Sequence, residues 1–151
     1  FMKFGSRNHL ITNPRDLPDI IKKLSKKPFT AITGVNTLFN GLLNTPGFEQ
    51  LDFSTLKLTL GGGMAVQRVV VERWKQVTGV TLVEAYGLTE TSPAACINPM
   101  DLEQFNGAIG LPVPSTEAMI RGEDGQALGV DEVGELCIRG PQVMVGYWKL
   151  P

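Results

Sequence analysis

The sequence predicts an α/β fold, in which βαβ units form a largely parallel sheet, followed by a small antiparallel β subdomain. Between residues 29 and 85, short apolar runs typical of strands alternate with segments of helical period. This order is typical of parallel sheets with crossover helices. From about residue 107 the helical period disappears and Gly, Pro and alternating runs replace it. We therefore expect an α/β part at 1–106 and the start of an all-β part at 107–151.

The first predicted elements are a helix and a strand. A turn ending at Asp16 can start the helix, and apolar residues at 17, 20, 21 and 24 then share one face, with lysines on the others. The lysines suit an anionic membrane surface or, more commonly, the solvated side of an amphipathic helix. Pro28 ends the helix, and residues 29–33 predict the first strand.

Helix and strand then alternate up to residue 85. We predict a helix over about 36–43 and a strand over 56–60, where apolar and polar residues alternate. The apolar positions between 66 and 77 predict a third helix, and Gly79 suits its C-terminal cap. A buried strand is predicted over 80–85.

Two loops follow consecutive strands of this sheet. The first is Gly61-Gly62-Gly63, and the second begins at the octet 86–93, YGLTETSP. Parallel strands present such loops at one edge, so the sequence predicts a ligand site there. Glycine allows close approach of a ligand to the backbone, but it equally suits a tight strand-to-helix turn. The spacing matches neither GxGxxG nor a P-loop.

The octet carries groups that suit a nucleotide phosphate and a metal ion. Its hydroxyls, including that of Thr89, can bond phosphate oxygens, and the carboxylate of Glu90 can bind Mg2+. The ring of Tyr86 offers a flat face for a base. The alternative is a turn that merely leaves a strand. From the octet alone, both interpretations stay open.

The second part of the chain consists of short runs and turns. Residues 94–97 are apolar, and 107–114 are rich in Gly and Pro. Strands are predicted at 116–121 and 135–140, the latter with alternating sides, and residues 123–125 (EDG) are a hairpin signal.

Composition excludes several classes of function. The 151 residues carry a net charge of -1, so the chain has no excess of basic residues of the kind that nucleic-acid binding needs. No apolar run reaches the roughly 20 residues of a membrane helix. Cys96 and Cys137 match no metal spacing, and we expect reduced thiols, with one disulfide as the alternative. His9 has no partner for a site and is expected on the surface or in a loop.

Three ordered motifs resemble the adenylate-forming (AMP-binding) superfamily, which includes acyl-CoA synthetases, firefly luciferase and peptide-synthetase adenylation domains. They are 60–63 (LGGG), 86–91 (YGLTET) and 134–141 (GELCIRGP), the last followed by 146–148 (GYW). Segments 10–16, 29–39 and 109–117 are similar to bacterial long-chain fatty acid:CoA ligases in particular. The resemblance covers nearly the whole chain.

The resemblance implies an enzyme that uses ATP and Mg2+ to activate a fatty acid as an acyl-adenylate and then transfers the acyl group to CoA. Fatty acid, ATP and CoA are its implied partners, without nucleic acid. It implies a cytoplasmic location and is compatible with peripheral contact of the parent protein at the inner face of the cell membrane. The α/β part would belong to the large N-terminal domain, and residues 107–151 would begin its β-barrel subdomain.

The same resemblance implies roles for individual residues. Thr89 would contact phosphate and Glu90 would hold Mg2+, which makes them the implied catalytic pair. Tyr86 would stack on adenine. Ala85 stands where the family often has glycine, which leaves contacts made by the backbone intact. The remaining implied nucleotide-binding residues are Gly61, Gly62, Gly63, Glu84, Ala85 and Gly87.

The family's lysine-ended phosphate loop, ribose-binding aspartate and C-terminal domain do not occur within these 151 residues. We therefore expect an internal fragment of such a ligase that is inactive alone. The alternatives are a stand-alone nucleotide-binding module, an adenylating enzyme with a different carboxylate substrate, and a scaffold whose glycines and octet are only turns.

Overall fold

The computed structural model describes residue 3 and residues 5–149, and these form three helices and seven strands. The helices are α1 (Leu17–Leu24), α2 (Asn36–Leu43) and α3 (Arg68–Thr78). The strands are β1 (Ala31–Gly34), β2 (Leu58–Gly61), β3 (Leu82–Gly87), β4 (Ala94–Ile97), β5 (Leu111–Pro112), β6 (Glu117–Arg121) and β7 (Glu135–Arg139). Short 3₁₀ turns lie at Phe48–Gln50 and Thr89–Thr91.

The strands form one mixed sheet and one small antiparallel sheet. The five-stranded sheet has the order β1-β2-β3-β4-β5; β1, β2 and β3 are parallel, while β4 and β5 are added antiparallel. Strands β6 and β7 pair separately. The predicted fold class is confirmed. Because β5 pairs with β4, residues 111–112 continue the main sheet, and the division at 106/107 stays a prediction.

Trp74 holds the helices on the sheet. Its side chain is fully buried and packs edge-on against Phe39, with ring centroids 4.9 Å apart; the Phe48 ring packs against it at a tilt, with centroids 5.2 Å apart. Its indole N–H donates to the buried hydroxyl of Thr59 in β2 at 3.1 Å. A buried tryptophan needs such a partner for its polar end. The apolar periodicity that predicted α3 therefore builds the core of the α/β part.

The predicted helix signals are confirmed at both ends of the α/β part. The Asp16 side chain accepts the Asp19 N–H at 3.1 Å and caps α1. Gly79 caps α3 in the left-handed conformation, with φ of 76°. At the surface, Arg73 of α3 donates to the carbonyl of Leu43 at 2.7 Å, at the end of α2. Arg73 thus satisfies a helix-end carbonyl that has no partner within α2.

Three strands lie about two residues later than predicted, and β3 runs through Tyr86 and Gly87. It continues because Tyr86 pairs with Cys96 and Gly87 with Ala94 in antiparallel β4, a partner that local pattern does not specify.

The second part confirms one prediction and departs from another. The hairpin signal at 123–125 is confirmed, because this turn joins Arg121 to Ala127 in an antiparallel bridge. The three central residues of β7 are all half-buried and do not alternate.

The remaining predictions from composition have clear outcomes. Cys96 and Cys137 are both free thiols, and burial raises the pKa of Cys96. His9 is exposed and lies outside the helices and strands. Over residue 3 and residues 5–149, we find no helix long and apolar enough to cross a membrane.

Candidate functional site

The ends of β2 and β3 lie side by side at one edge of the sheet. Gly61 pairs with Glu84, and on its other side with Gly34. The next residue, Gly62, lies so near Ala85 that an added Cβ would be 3.3 Å from the Ala85 carbonyl oxygen. The structure therefore brings the triple glycine and residues 84–85 together, as the parallel order predicts.

The glycines of this loop differ in burial and in backbone conformation. Gly61 is buried, and a Cβ added there would be 2.7 Å from Cγ2 of Val66, so the space that its missing side chain leaves is filled by the protein itself. Gly63 is exposed and has φ of 79°, a conformation that favours glycine. Close packing thus explains glycine at position 61, and the left-handed turn explains it at position 63, so approach of a ligand to the backbone is left to the exposed end of the loop.

Side chains from two other elements fix the start of α3 behind this loop. The carboxylate of Glu84 accepts the Val66 N–H at 3.1 Å, and the side-chain carbonyl of Asn36 accepts the Gln67 N–H at 3.0 Å. Such backbone donors near a helix start lack partners within the helix. Sequence reasoning gave Glu84 no firm side-chain role, and here it ties β3 to the segment that leads into α3.

Thr91 holds the octet turn from within. It is buried, and its hydroxyl accepts the Leu88 N–H at 2.9 Å and lies 2.8 Å from the Pro93 carbonyl oxygen. At the turn's start, a Cβ on Gly87 would lie 1.7 Å from the same oxygen, so only glycine fits. Sequence reasoning missed Thr91 as a supporting residue. A hydroxyl three residues after a turn start is the signal that could have found it.

The hydrogen bonds that hold this turn do not use the side chains of the two implied catalytic residues. Thr89 is exposed, and its hydroxyl bonds to no group among the described residues. Glu90 is half-buried, and its carboxylate oxygen Oε1 accepts the Tyr147 hydroxyl at 2.7 Å. Its carbonyl accepts the Met144 N–H at 2.8 Å. The other carboxylate oxygen, Oε2, has no bonding partner in the part of the chain that the structure describes.

The Glu90–Tyr147 bond favours the charged form of the Glu90 carboxylate. The hydrogen bond from the phenol lowers the pKa of Glu90 below its usual value, and the same bond raises the pKa of Tyr147. Glu90 is therefore an anion at neutral pH beside a neutral donor.

The donor set around Glu90 fits one kind of metal site. No group of three or more His, Cys, Asp or Glu side chains converges among residues 3 and 5–149. A lone carboxylate fits Mg2+, which takes one or two protein carboxylates and fills its shell with water and substrate phosphates.

Tyr86 lies at the end of β3, beside the octet turn. It is half-buried, and its ring forms no aromatic pair within the described ranges. Its ring is therefore not committed to the aromatic core around Trp74.

Comparisons with known proteins identify the family and the fold. A family model described as "AMP-binding enzyme" matches residues 1–148. The whole chain is 58% identical to a long-chain-fatty-acid–CoA ligase of Escherichia coli O157:H7 and spans 27% of its length. The fold is similar to a benzoate CoA ligase from Burkholderia xenovorans LB400, with a TM-score of 0.79 and 28% identity over 93% of this chain and 29% of that one. A long-chain-fatty-acid-CoA ligase (FadD1) from Archaeoglobus fulgidus matches 89% of this chain and 29% of its own, with a TM-score of 0.76 and 28% identity. The chain thus spans about a quarter of the length of the curated relatives it matches.

Proposed function

The chain belongs to the AMP-binding enzyme family, and we propose that it is part of an ATP-dependent long-chain fatty acid:CoA ligase. The observation that carries the proposal is the octet, where a buried Thr91 and a glycine-only position support a turn that leaves Thr89 and the Oε2 oxygen of Glu90 unused by the fold. The choice of a fatty acid substrate rests on the 58% identity to the Escherichia coli ligase.

The proposed reaction has two steps. A carboxylate oxygen of the fatty acid attacks the α-phosphorus of ATP, which forms the acyl-adenylate and releases pyrophosphate. The thiol sulfur of CoA, losing its proton, then attacks the acyl carbon, and AMP leaves as the thioester forms. The first step concentrates negative charge on phosphate oxygens, so it needs fixed donors and cations around them.

Each implied site residue has a place in this scheme. The Thr89 hydroxyl donates to a phosphate oxygen, and Glu90 holds Mg2+, which supplies charge neutralisation when bound. The ring of Tyr86 stacks on adenine. The backbone around Gly62, Gly63 and residues 84–87 borders the adenine and acyl pockets. Gly61 supports that wall from within, since Val66 covers it.

The proposal extends to the cellular setting. The free thiols of Cys96 and Cys137 agree with a reduced cytoplasmic compartment. The proposed enzyme works there, in peripheral contact with the inner face of the cell membrane, where its apolar substrate concentrates.

ATP–pyrophosphate exchange by the full-length protein with palmitate tests the proposal. We expect exchange that depends on palmitate and falls by about 10²-fold in Glu90→Ala, the scale seen when one charge-stabilising group is removed. Glu123→Ala is the matched control, because Glu123 is an exposed carboxylate in the 123–125 turn, outside the proposed site, and its loss should leave exchange unchanged.

The outcomes separate the parts of the proposal. Normal exchange in Glu90→Ala would remove the octet from the chemistry. Exchange with benzoate and none with palmitate would keep adenylation and replace the substrate class, in line with the benzoate CoA ligase of the same fold. Nucleotide binding without exchange for any carboxylate would favour a binding module.

A further inference from the structure

Glu90 is held by a segment far along the chain. The Tyr147 hydroxyl donates to its Oε1 at 2.7 Å, across 57 residues of sequence. The Met144 N–H donates to its backbone carbonyl at 2.8 Å. One short segment thus fixes both the backbone and the side chain of the residue that the proposed function assigns to the metal.

The segment that carries Tyr147 is itself anchored. Gln142 donates to the hydroxyl of Thr116 at 2.6 Å and to the carbonyl of Ala94 at 3.3 Å. Ala94 begins β4, which follows the octet directly, and Thr116 precedes β6. The segment that carries the Tyr147 phenol is therefore hydrogen-bonded to β4, the strand that directly follows the octet.

The bond is chemically selective. A phenol donates one proton to one carboxylate oxygen and brings no charge, so the carboxylate keeps its affinity for a cation. With Oε1 engaged, rotation of the carboxylate is restricted, and Oε2 remains free in the described part of the chain. Carboxylates that bind metals are commonly oriented by such hydrogen-bonded partners, whose loss typically lowers metal affinity 10- to 100-fold.

We propose that Tyr147 is a positioning residue that orients the Glu90 carboxylate so that its free oxygen binds the Mg2+ of the Mg2+–ATP complex. This inference rests on the proposed function, since it assumes that Glu90 is the metal ligand. It adds a residue outside the octet to the adenylation site and explains why the ring stays at the surface, 52% exposed, with its hydroxyl committed to the protein.

Metal binding tests this directly, without relying on catalysis. Mn2+ would be titrated by electron paramagnetic resonance into the full-length protein saturated with α,β-methylene-ATP, which cannot react at the α-phosphorus. We expect the Mn2+ dissociation constant to rise about 10-fold in Tyr147→Phe, which keeps the ring and removes only the hydroxyl. Glu90→Gln should raise it at least as much, and the double variant should match Glu90→Gln alone, because the phenol acts through the carboxylate.

Trp148→Phe is the control, since Trp148 is the neighbouring aromatic and is 87% exposed; its dissociation constant should stay at the wild-type value. Unchanged affinity in Tyr147→Phe beside weakened affinity in Glu90→Gln would overturn the positioning role and keep the metal ligand. Tighter binding in Tyr147→Phe would show a phenol that competes with the cation, which also overturns the proposal. Unchanged affinity in Glu90→Gln would instead remove the metal role on which the proposed function depends.

Discussion

The glycine loop at the end of β2 and the octet at the end of β3 occupy equivalent positions in the fold but are built in opposite ways. Around the glycine loop, side chains from elsewhere hold the backbone: Glu84 and Asn36 accept the N–H groups that follow the loop at the start of α3, and Val66 fills the space at Gly61. In the octet, the buried hydroxyl of Thr91 holds the turn from inside, and the polar side chains of Thr89 and Glu90 take no part in the bonds that hold it.

This difference shows which sequence signal reports packing and which reports chemistry. Glycines after a strand were equally compatible with a turn and with a ligand, and at Gly61 the close packing of Val66 already favours glycine. An exposed threonine whose hydroxyl bonds to nothing in the described chain is not explained by packing. The octet is thus the stronger indication of function, and the glycine loop is its structural neighbour.

The largest expected effect compares one glycine from each loop. Gly87→Ala should destabilise the chain by about 3 kcal/mol, because its Cβ would meet the Pro93 backbone oxygen at 1.7 Å. Gly61→Ala should cost only about 1 kcal/mol, since its Cβ meets the end of the Val66 side chain, which can move. Urea unfolding measures both.

The control for these glycines is Gly125→Ala, at a turn where nothing lies within 4 Å and only left-handed backbone strain remains. If Gly87→Ala costs no more than this control, the octet does not depend on the close approach of Gly87 to Pro93.

A smaller effect separates two threonines of the octet. Thr91→Ala should cost about 1–3 kcal/mol in urea unfolding, because the Leu88 N–H loses its hydroxyl partner, whereas Thr91→Ser keeps that partner. Thr89→Ala should change stability by no more than about 0.5 kcal/mol, as for other exposed positions. Equal costs at positions 89 and 91 would erase the distinction between support and function within the octet.

The smallest expected effect is a shift in one titration. In Tyr147→Phe, the pKa of Glu90 should rise toward its usual value, because the phenol that lowers it is gone. A carboxyl with a lowered folded-state pKa stabilises the fold above its unfolded pKa, and this contribution is lost as pH falls through the folded value. The variant should therefore lack that stabilisation near neutral pH.

The ¹³C chemical shift of the Glu90 side-chain carboxyl carbon, followed against pH by NMR, measures this pKa shift, with Trp148→Phe as the control. An unmoved Glu90 pKa in Tyr147→Phe would mean that the 2.7 Å bond does not persist in solution.

Local pattern predicted much of the fold because periodicity decides where helices form. The helix expected at 36–43 is α2 with the same bounds, and the spacing of apolar residues around Trp74 placed the core. The strands were less accurate, since β3 extends to Gly87 only through its pairing with β4. Strand ends depend on partners that a window of sequence does not contain.

In the candidate site, too, some residues could be predicted from local sequence and others could not. Hydroxyl and carboxylate chemistry at Thr89 and Glu90 could be proposed from residue types alone. The support for that chemistry could not, because Glu84 acts on a residue 18 positions away and Tyr147 acts on one 57 positions away. No periodicity or motif spacing encodes a pair that only the folded chain brings together.

The two bonds that define the octet differ greatly in the length of chain they close. Thr91 reaches back three residues to Leu88, whereas Tyr147 reaches back 57 to Glu90. Closing a loop costs entropy that grows by about 0.6 kcal/mol for each doubling of its length, so the second bond needs the rest of the fold in place first. The turn is consequently a local property of a few residues. The orientation of the Glu90 carboxylate, by contrast, is set only after the chain has folded through residue 147.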